Sequence, residues 1–255
     1  MESKNMNFIE SPNLPVKPVT AAIVDGRIPS LMETTLMDRG MKLFKTKPLP
    51  GIYNAIAYHP DIMLHHLGGR DLLYAPGVDE EFLGSLRKMG MCLIEGKTEL
   101  TARYPGNIAY NICRIGNTAI HNLNYTDPIL RRELEKRGVQ IVHVKQGYAK
   151  CSISVVDSHS IITADAGIAK ALEKYGIEVL FIEPEEGIRL HELEYGFIGG
   201  STGCLGSKTW AIAGNLKHLN AVNQISEFLT RKGKDILCLY DGPVMDIGSI
   251  VPLME

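Results

Sequence analysis

Five times along the chain an amphipathic stretch ends in glycine and runs directly into a β-branched, apolar run. The junctions fall at Gly40, Gly90, Gly138, Gly176 and Gly233, separated by 50, 48, 38 and 57 residues. Glycine closes a helix there through a left-handed residue that other side chains resist, so each junction predicts a helix followed at once by a strand. Recurrence at that spacing marks a repeated supersecondary unit. The clearest copy covers residues 150–183. CSISVV and SIITA form its strand pair around Asp157, Ser158 and His159, and Asp165 falls at a helix N-cap. Ile168, Ala171, Leu172 and Tyr175 share one helical face, and IEVLFI after Gly176 is apolar enough to be buried on both sides.

The other units repeat this β-β-α-β order. In the second, NAIAY and IMLHH pair around His59, Pro60 and Asp61, DLLYA follows, and Asp79 caps EEFLGSLRKMG. In the third, NIAYNICRIG and TAIHNL precede the cap Asp127 and a helix-opening Pro128. The fifth runs from GFIGGSTGCLGSKTWAIAGN through AVNQISEFLTRKG to DILCLY. At the N-terminus, VTAAIVD, a helix opened by a Ser30–Glu33 capping box, and MKLFKT lack a first strand. At the other end VMDIGSIVPL is a strand with no helix behind it. The two pieces complete each other. The expected fold is α/β: a five-bladed, pseudo-symmetric α/β propeller of ββαβ units, one blade shared between the N- and C-termini. Such closure leaves no sheet edge to protect. A doubly wound sheet shows the same alternation but needs one strand per helix, whereas two precede each helix here. Residues 1–17 read as an extended or poorly ordered lead-in and 18–255 as one domain.

Composition narrows the function. The chain carries 27 Lys and Arg against 29 Asp and Glu, a net charge of -2, so no general cationic field is available for a nucleic-acid backbone. No signal-peptide pattern opens the chain and no segment reaches eighteen apolar residues, so a soluble cytoplasmic protein without a membrane partner is expected. Cys92, Cys113, Cys151, Cys204 and Cys238 show no CxxC spacing, which argues against a disulfide framework or a clustered zinc site. GGSTGCLGSKT departs from a phosphate loop, because Ser207 separates the second glycine from Lys208 and a strand follows. His65 and His66 are neighbours on one strand and diverge. Neither a metal nor a cofactor is expected.

The repeat, with KCSISVV, IITADAGI, GFIGGSTG and GPVMDIGSIVPL, resembles the pentein fold, also called the guanidine-modifying superfamily, over residues 19–253. The resemblance implies that first strands line a central cavity and that residues near the start of each unit face it: Asn54, Asn107, Lys150, Cys151, Ser201, Cys204, Asp246 and Ser249. Catalytic members use a nucleophilic cysteine near the carboxyl end, a histidine, and carboxylates that hold the planar guanidinium. Here Gly248 and Ser249 stand in the comparable strand, and no cysteine follows Cys238. The candidate catalytic residues are therefore Cys151 or Cys204, with His218 and Asp246. Asn54, Asn107, Lys150, Asp165, Ser201 and Ser249 are candidates for binding, although Asp165 is equally explained as a helix cap. The resemblance implies a hydrolase or amidine-transfer enzyme acting on a guanidino or related small polar compound in the central cavity. The alternative is a non-catalytic protein that binds a small metabolite or a macromolecule, as the pentein-fold initiation factor binds the large ribosomal subunit. A homodimer is an open option.

Overall fold

A computed structural model describes residues 7–255. It begins with β1 (Ala21–Val24), α1 (Ser30–Met37) and β2 (Lys42–Lys45). Next come the short α2 (Pro60–Met63), β3 (Leu64–Gly68), β4 (Asp71–Tyr74), α3 (Glu80–Met89) and β5 (Cys92–Glu95). The third unit is β6 (Cys113–Ile115), β7 (Thr118–His121), α4 (Pro128–Lys136) and β8 (Gln140–His143). The fourth holds α5 (Ala149–Ser152), β9 (Ile153–Asp157), β10 (Ser160–Thr163), α6 (Ala166–Leu172) and β11 (Glu178–Phe181). After β12 (Ile188–Leu190) the fifth follows as β13 (Thr202–Cys204), β14 (Thr209–Ile212), α7 (Val222–Arg231) and β15 (Asp235–Cys238). The chain closes with β16 (Val244–Asp246) and β17 (Val251–Met254).

The strands form five three-stranded sheets with one plan: a first strand antiparallel to a second, and a third parallel to the second across a helix. In the N-terminal sheet the first strand is β17, paired antiparallel to β1 with Ile23 opposite Val251. This is the expected union of the two incomplete pieces. All five junction glycines have positive φ, from 64° at Gly138 to 101° at Gly90.

Local chemistry explains three of the seven α-helix starts among the described residues. The Asp79 side chain accepts from Phe82 N, that of Asp127 from Ile129 N and Leu130 N, and that of Asp165 from Ile168 N. Phe82, Leu83, Leu86 and Met89 of α3 are buried in the largest apolar cluster, which is worth about 6–12 kcal/mol gross. Two starts differ from expectation. Pro29 is the N-cap of α1, and Glu33 pairs with Lys45 at 2.8 Å instead of closing a capping box. α7 is capped from outside its own segment, with Glu185 accepting from Asn220 N and Ala221 N.

Two strand assignments shift. NAIAY is not a strand; residues 49–59 coil through turns such as Ile56 N to Tyr53 O, and the hairpin is β3 with β4 across Gly68 and Gly69. VMDIGSIVPL is split: β16 pairs parallel with β12, β17 with β1, and the bend between them places Gly248 and Ser249 at φ 65° and 71°. A Cβ on Gly248 would lie 2.3 Å from His59 Cβ, so only glycine fits that bend. Of the expected lead-in, residues 1–6 lie outside the described residues. In the remainder Ile9 is buried, donates to Leu253 O, and accepts from Gly69 N. No helix among the described residues is long and apolar enough to cross a membrane.

Candidate functional site

The first strands β3, β6, β9, β13 and β17 are each preceded, within three residues, by a residue of one shared cluster: Asp61, Asn111, Lys150 with Cys151, Gly199 with Gly200, and Ser249. Hydrogen bonds join them in sequence. Asp61 N donates to Gly248 O, Ser249 N to Gly200 O, Gly200 N to Cys151 O, and Lys150 N to Asn111 O. The Asn111 side chain completes the circuit, its Nδ2 donating to Asp61 O at 3.0 Å. Equivalent positions in all five sheets thus meet in one bonded loop.

Side chains fill the inside of that loop. Lys150 Nζ donates to Ser249 Oγ at 2.7 Å and to the Gly199 carbonyl at 3.4 Å. The Ser249 hydroxyl has Asp61 Oδ2 at 2.8 Å and Gly199 O at 3.0 Å as acceptors. Cys151 Sγ donates to Asp61 Oδ2 at 3.3 Å and accepts from Asn111 Nδ2 at 3.1 Å. Beside this group His59 lies between two carboxylates, Nε2 3.8 Å from Asp25 Oδ2 and Nδ1 3.7 Å from Asp246 Oδ1. Asp246 Oδ2 accepts from Phe197 N and Oδ1 from Gly248 N. All of these side chains are buried.

Three charge-bearing atoms or ring nitrogens in the cluster lack a hydrogen-bond partner among the described residues: Asp61 Oδ1 and both ring nitrogens of His59. Buried polar atoms are normally satisfied, so each marks a place for a water or a ligand. A cavity of about 20 Å³ touches Asp61 and Lys150, room for one water, and another of about 30 Å³ touches Asp25, Arg27 and Asp246. Burial, reinforced by Asp61 and Asp246, pushes the Cys151 thiol well above its ordinary range. Burial likewise raises the Asp246 carboxyl, opposed by His59 and aided by Asp61. The site therefore disfavours a thiolate.

Of the residues singled out in sequence, Lys150, Cys151 and Ser249 share the cluster and Asp246 adjoins it. The others lie apart. Cys204 is in β13 with Sγ 3.3 Å from Val155 O, and burial pushes its thiol up to about 11. His218 is exposed in a short 3-10 turn after β14. Asn54 is exposed and donates to Glu192 Oε1. Asn107 is buried with Nδ2 on Ala102 O, and Ser201 Oγ donates to Phe197 O. Asp165 caps α6 and also accepts from Gln146 Nε2 at 2.9 Å. Asp61, Asn111, His59 and Asp25 were missed. The signal for two of them was repeat position: with the second hairpin placed at β3 and the third at β6, Asp61 and Asn111 replace Asn54 and Asn107. Among the described residues no three His, Cys, Asp or Glu side chains are grouped to hold a metal ion.

Sheet plan and buried cluster together define an α/β protein, and its fold is shared with solved structures of low sequence identity. The chain matches SxtG, an amidinotransferase from Microseira wollei in the saxitoxin biosynthetic pathway, at TM-score 0.57 and 12% identity, covering 91% of each chain. It matches agmatine deiminase from C. jejuni at TM-score 0.55 and 10% identity, over 93% of this chain and 91% of that one. It matches a citrulline complex of DDAH from Pseudomonas aeruginosa at TM-score 0.54 and 11% identity, over 91% and 93%. No curated protein matches the sequence. Within this fold the chain belongs to a family described as "Family of unknown function (DUF6873)", whose model matches residues 23–251.

Proposed function

We propose that residues 18–255 form a single five-bladed α/β propeller, one blade shared between the termini, and that its axial cluster binds a guanidino or related amidine compound and hydrolyses a C–N bond. The closed hydrogen-bond circuit through five equivalent strand starts supports the ring. The unpartnered Asp61 Oδ1, buried beside a water-sized cavity and among further carboxylates, carries the functional reading. Carboxylates pair with the planar cation. With a serine at position 249 and the Cys151 thiol held protonated, water is the nucleophile. Its oxygen bonds to the amidine carbon while Asp61 takes its proton. The C–N bond then breaks and the proton passes to the departing amine, leaving a ureido product. Ser249 holds Asp61 Oδ2 by its hydroxyl, and Lys150 holds Ser249 in turn.

A second reading, non-catalytic binding of the same class of molecule, is favoured by the tightness of the axis, where Lys150 is the internal cation. One experiment separates the outcomes. The chain is screened by thermal shift against agmatine, arginine and dimethylarginine, and each mixture is assayed for ureido product and released amine. Ligand at 100 times its Kd stabilises by about 2.7 kcal/mol, an easily read shift. Shift with product supports hydrolysis, and shift alone supports the binding reading. Neither shift nor product at millimolar ligand overturns both.

A further inference from the structure

A separate cavity, of about 70 Å³, opens beside the axial cluster and shares none of its residues. Its walls include Ser152, Asp165, Glu185, Tyr195, Phe197 and Gln146. We propose that this cavity binds the primary ammonium group of a small alkylamine, independently of any chemistry at the axis.

Ser152 is only 3% exposed, lines the cavity, and has an Oγ with no hydrogen-bond partner among the described residues. Such an orphan normally has an occupant. Two carboxylates share the walls, and neither Asp165 nor Glu185 forms an ion pair among the described residues. Each carboxylate already accepts two hydrogen bonds, Asp165 from Ile168 N and Gln146 Nε2, Glu185 from Asn220 N and Ala221 N. Their second lone pairs are free. Three acceptors, two of them negative, match the three N–H bonds of a primary ammonium.

The aromatic wall suits the same charge. The rings of Tyr195 and Phe197 meet edge to face at 5.4 Å, and Phe197 continues through Tyr148 to Tyr104 at 6.0 and 5.7 Å. Ring faces attract a cation, and Tyr195, 48% exposed, leaves a way out for the ligand's alkyl chain. The volume holds about two waters, fitting an ammonium headgroup rather than a whole metabolite.

The test uses the full chain, with putrescine, methylammonium and tetramethylammonium chlorides as probes and sodium chloride as control, followed at the Gly196 and Phe197 amides by NMR. Putrescine and methylammonium should give saturable shifts there. Tetramethylammonium, which has no N–H, should bind about tenfold more weakly. Asp165→Asn keeps a good helix cap yet should weaken putrescine about tenfold, and Tyr195→Ala about fivefold. Where Asp165→Asn fails to fold, Ser152→Ala takes its place in the comparison. Absence of saturable shifts, tetramethylammonium binding as well as putrescine, or folded variants that bind undiminished would each overturn the proposal. These results do not depend on turnover of guanidino compounds.

Discussion

Replacing Lys150 by Met should make the interior of the site the weakest point of the fold. Lys150 is 6% exposed, and its Nζ reaches Ser249 Oγ and the Gly199 carbonyl; Ser249 in turn reaches Asp61 Oδ2. Met has nearly the volume of lysine, so the substitution leaves little cavity and chiefly removes the cation. Asp61, which Lys150 reaches through Ser249, then remains buried with less compensation. Removing one partner of a buried ionic group costs about 3–5 kcal/mol, and at this chain length each kcal/mol moves Tm by about 2–4 °C. Urea denaturation followed by circular dichroism at pH 7 should therefore show Lys150→Met less stable by about 4 kcal/mol, with Tm lower by about 10 °C. Lys150→Met combined with Asp61→Asn removes charge on both sides and should recover about 2 kcal/mol relative to the sum of the single effects. A Lys150→Met protein within about 1 kcal/mol of the parent, or strictly additive effects, would refute the coupling of Lys150 to Asp61.

Two further outcomes follow from burial. Burial holds His66 and His121 down at about 4, so each contributes stability that is present above 6.5 and lost as pH falls through 4. Each is worth about 3 kcal/mol, and denaturation at pH 7 and pH 4.5 should differ accordingly; a flat profile would show that these imidazoles titrate freely. Among the thiols, Cys92 is exposed whereas Cys113, Cys151 and Cys204 are buried. Disulfide-exchange labelling of the native chain should modify Cys92 first and spare those three until urea unfolds the protein, and rapid modification of Cys151 would contradict the raised thiol.

The sheet plan was legible because it rests on signals that act within a few residues. Asp79, Asp127 and Asp165 cap helices by bonds to amides two or three positions on, and the junction glycines act on their own φ. Interactions between distant segments were hidden. Glu185 caps α7 from another part of the chain, and Glu33 is drawn to Lys45. The site was half legible for a related reason. Lys150, Cys151 and Ser249 fall within three residues of a first strand that the sequence did mark, although CSISVV begins in α5 and VMDIGSIVPL is split. NAIAY has the alternation of a strand but coils through turns, which displaced the choice from Asp61 to Asn54. His59 and Asp25 precede no repeated feature, and only the tertiary fold places an imidazole between two carboxylates.

The pairing of β17 with β1 has a consequence for how the protein is made. Ribosomal synthesis delivers β1 early, yet its antiparallel neighbour emerges only after all the intervening sheets. Until then Ala21–Val24, wholly buried in the finished molecule, offers one unpaired edge to any passing strand. The same late segment carries Ser249, so a nascent chain stopped short of it has neither a sealed first sheet nor a complete buried cluster. Holdase chaperones that cover an apolar edge would matter most for this opening strand. A circular permutant that begins at Val244 would translate both partners together and should release from the ribosome less prone to aggregation.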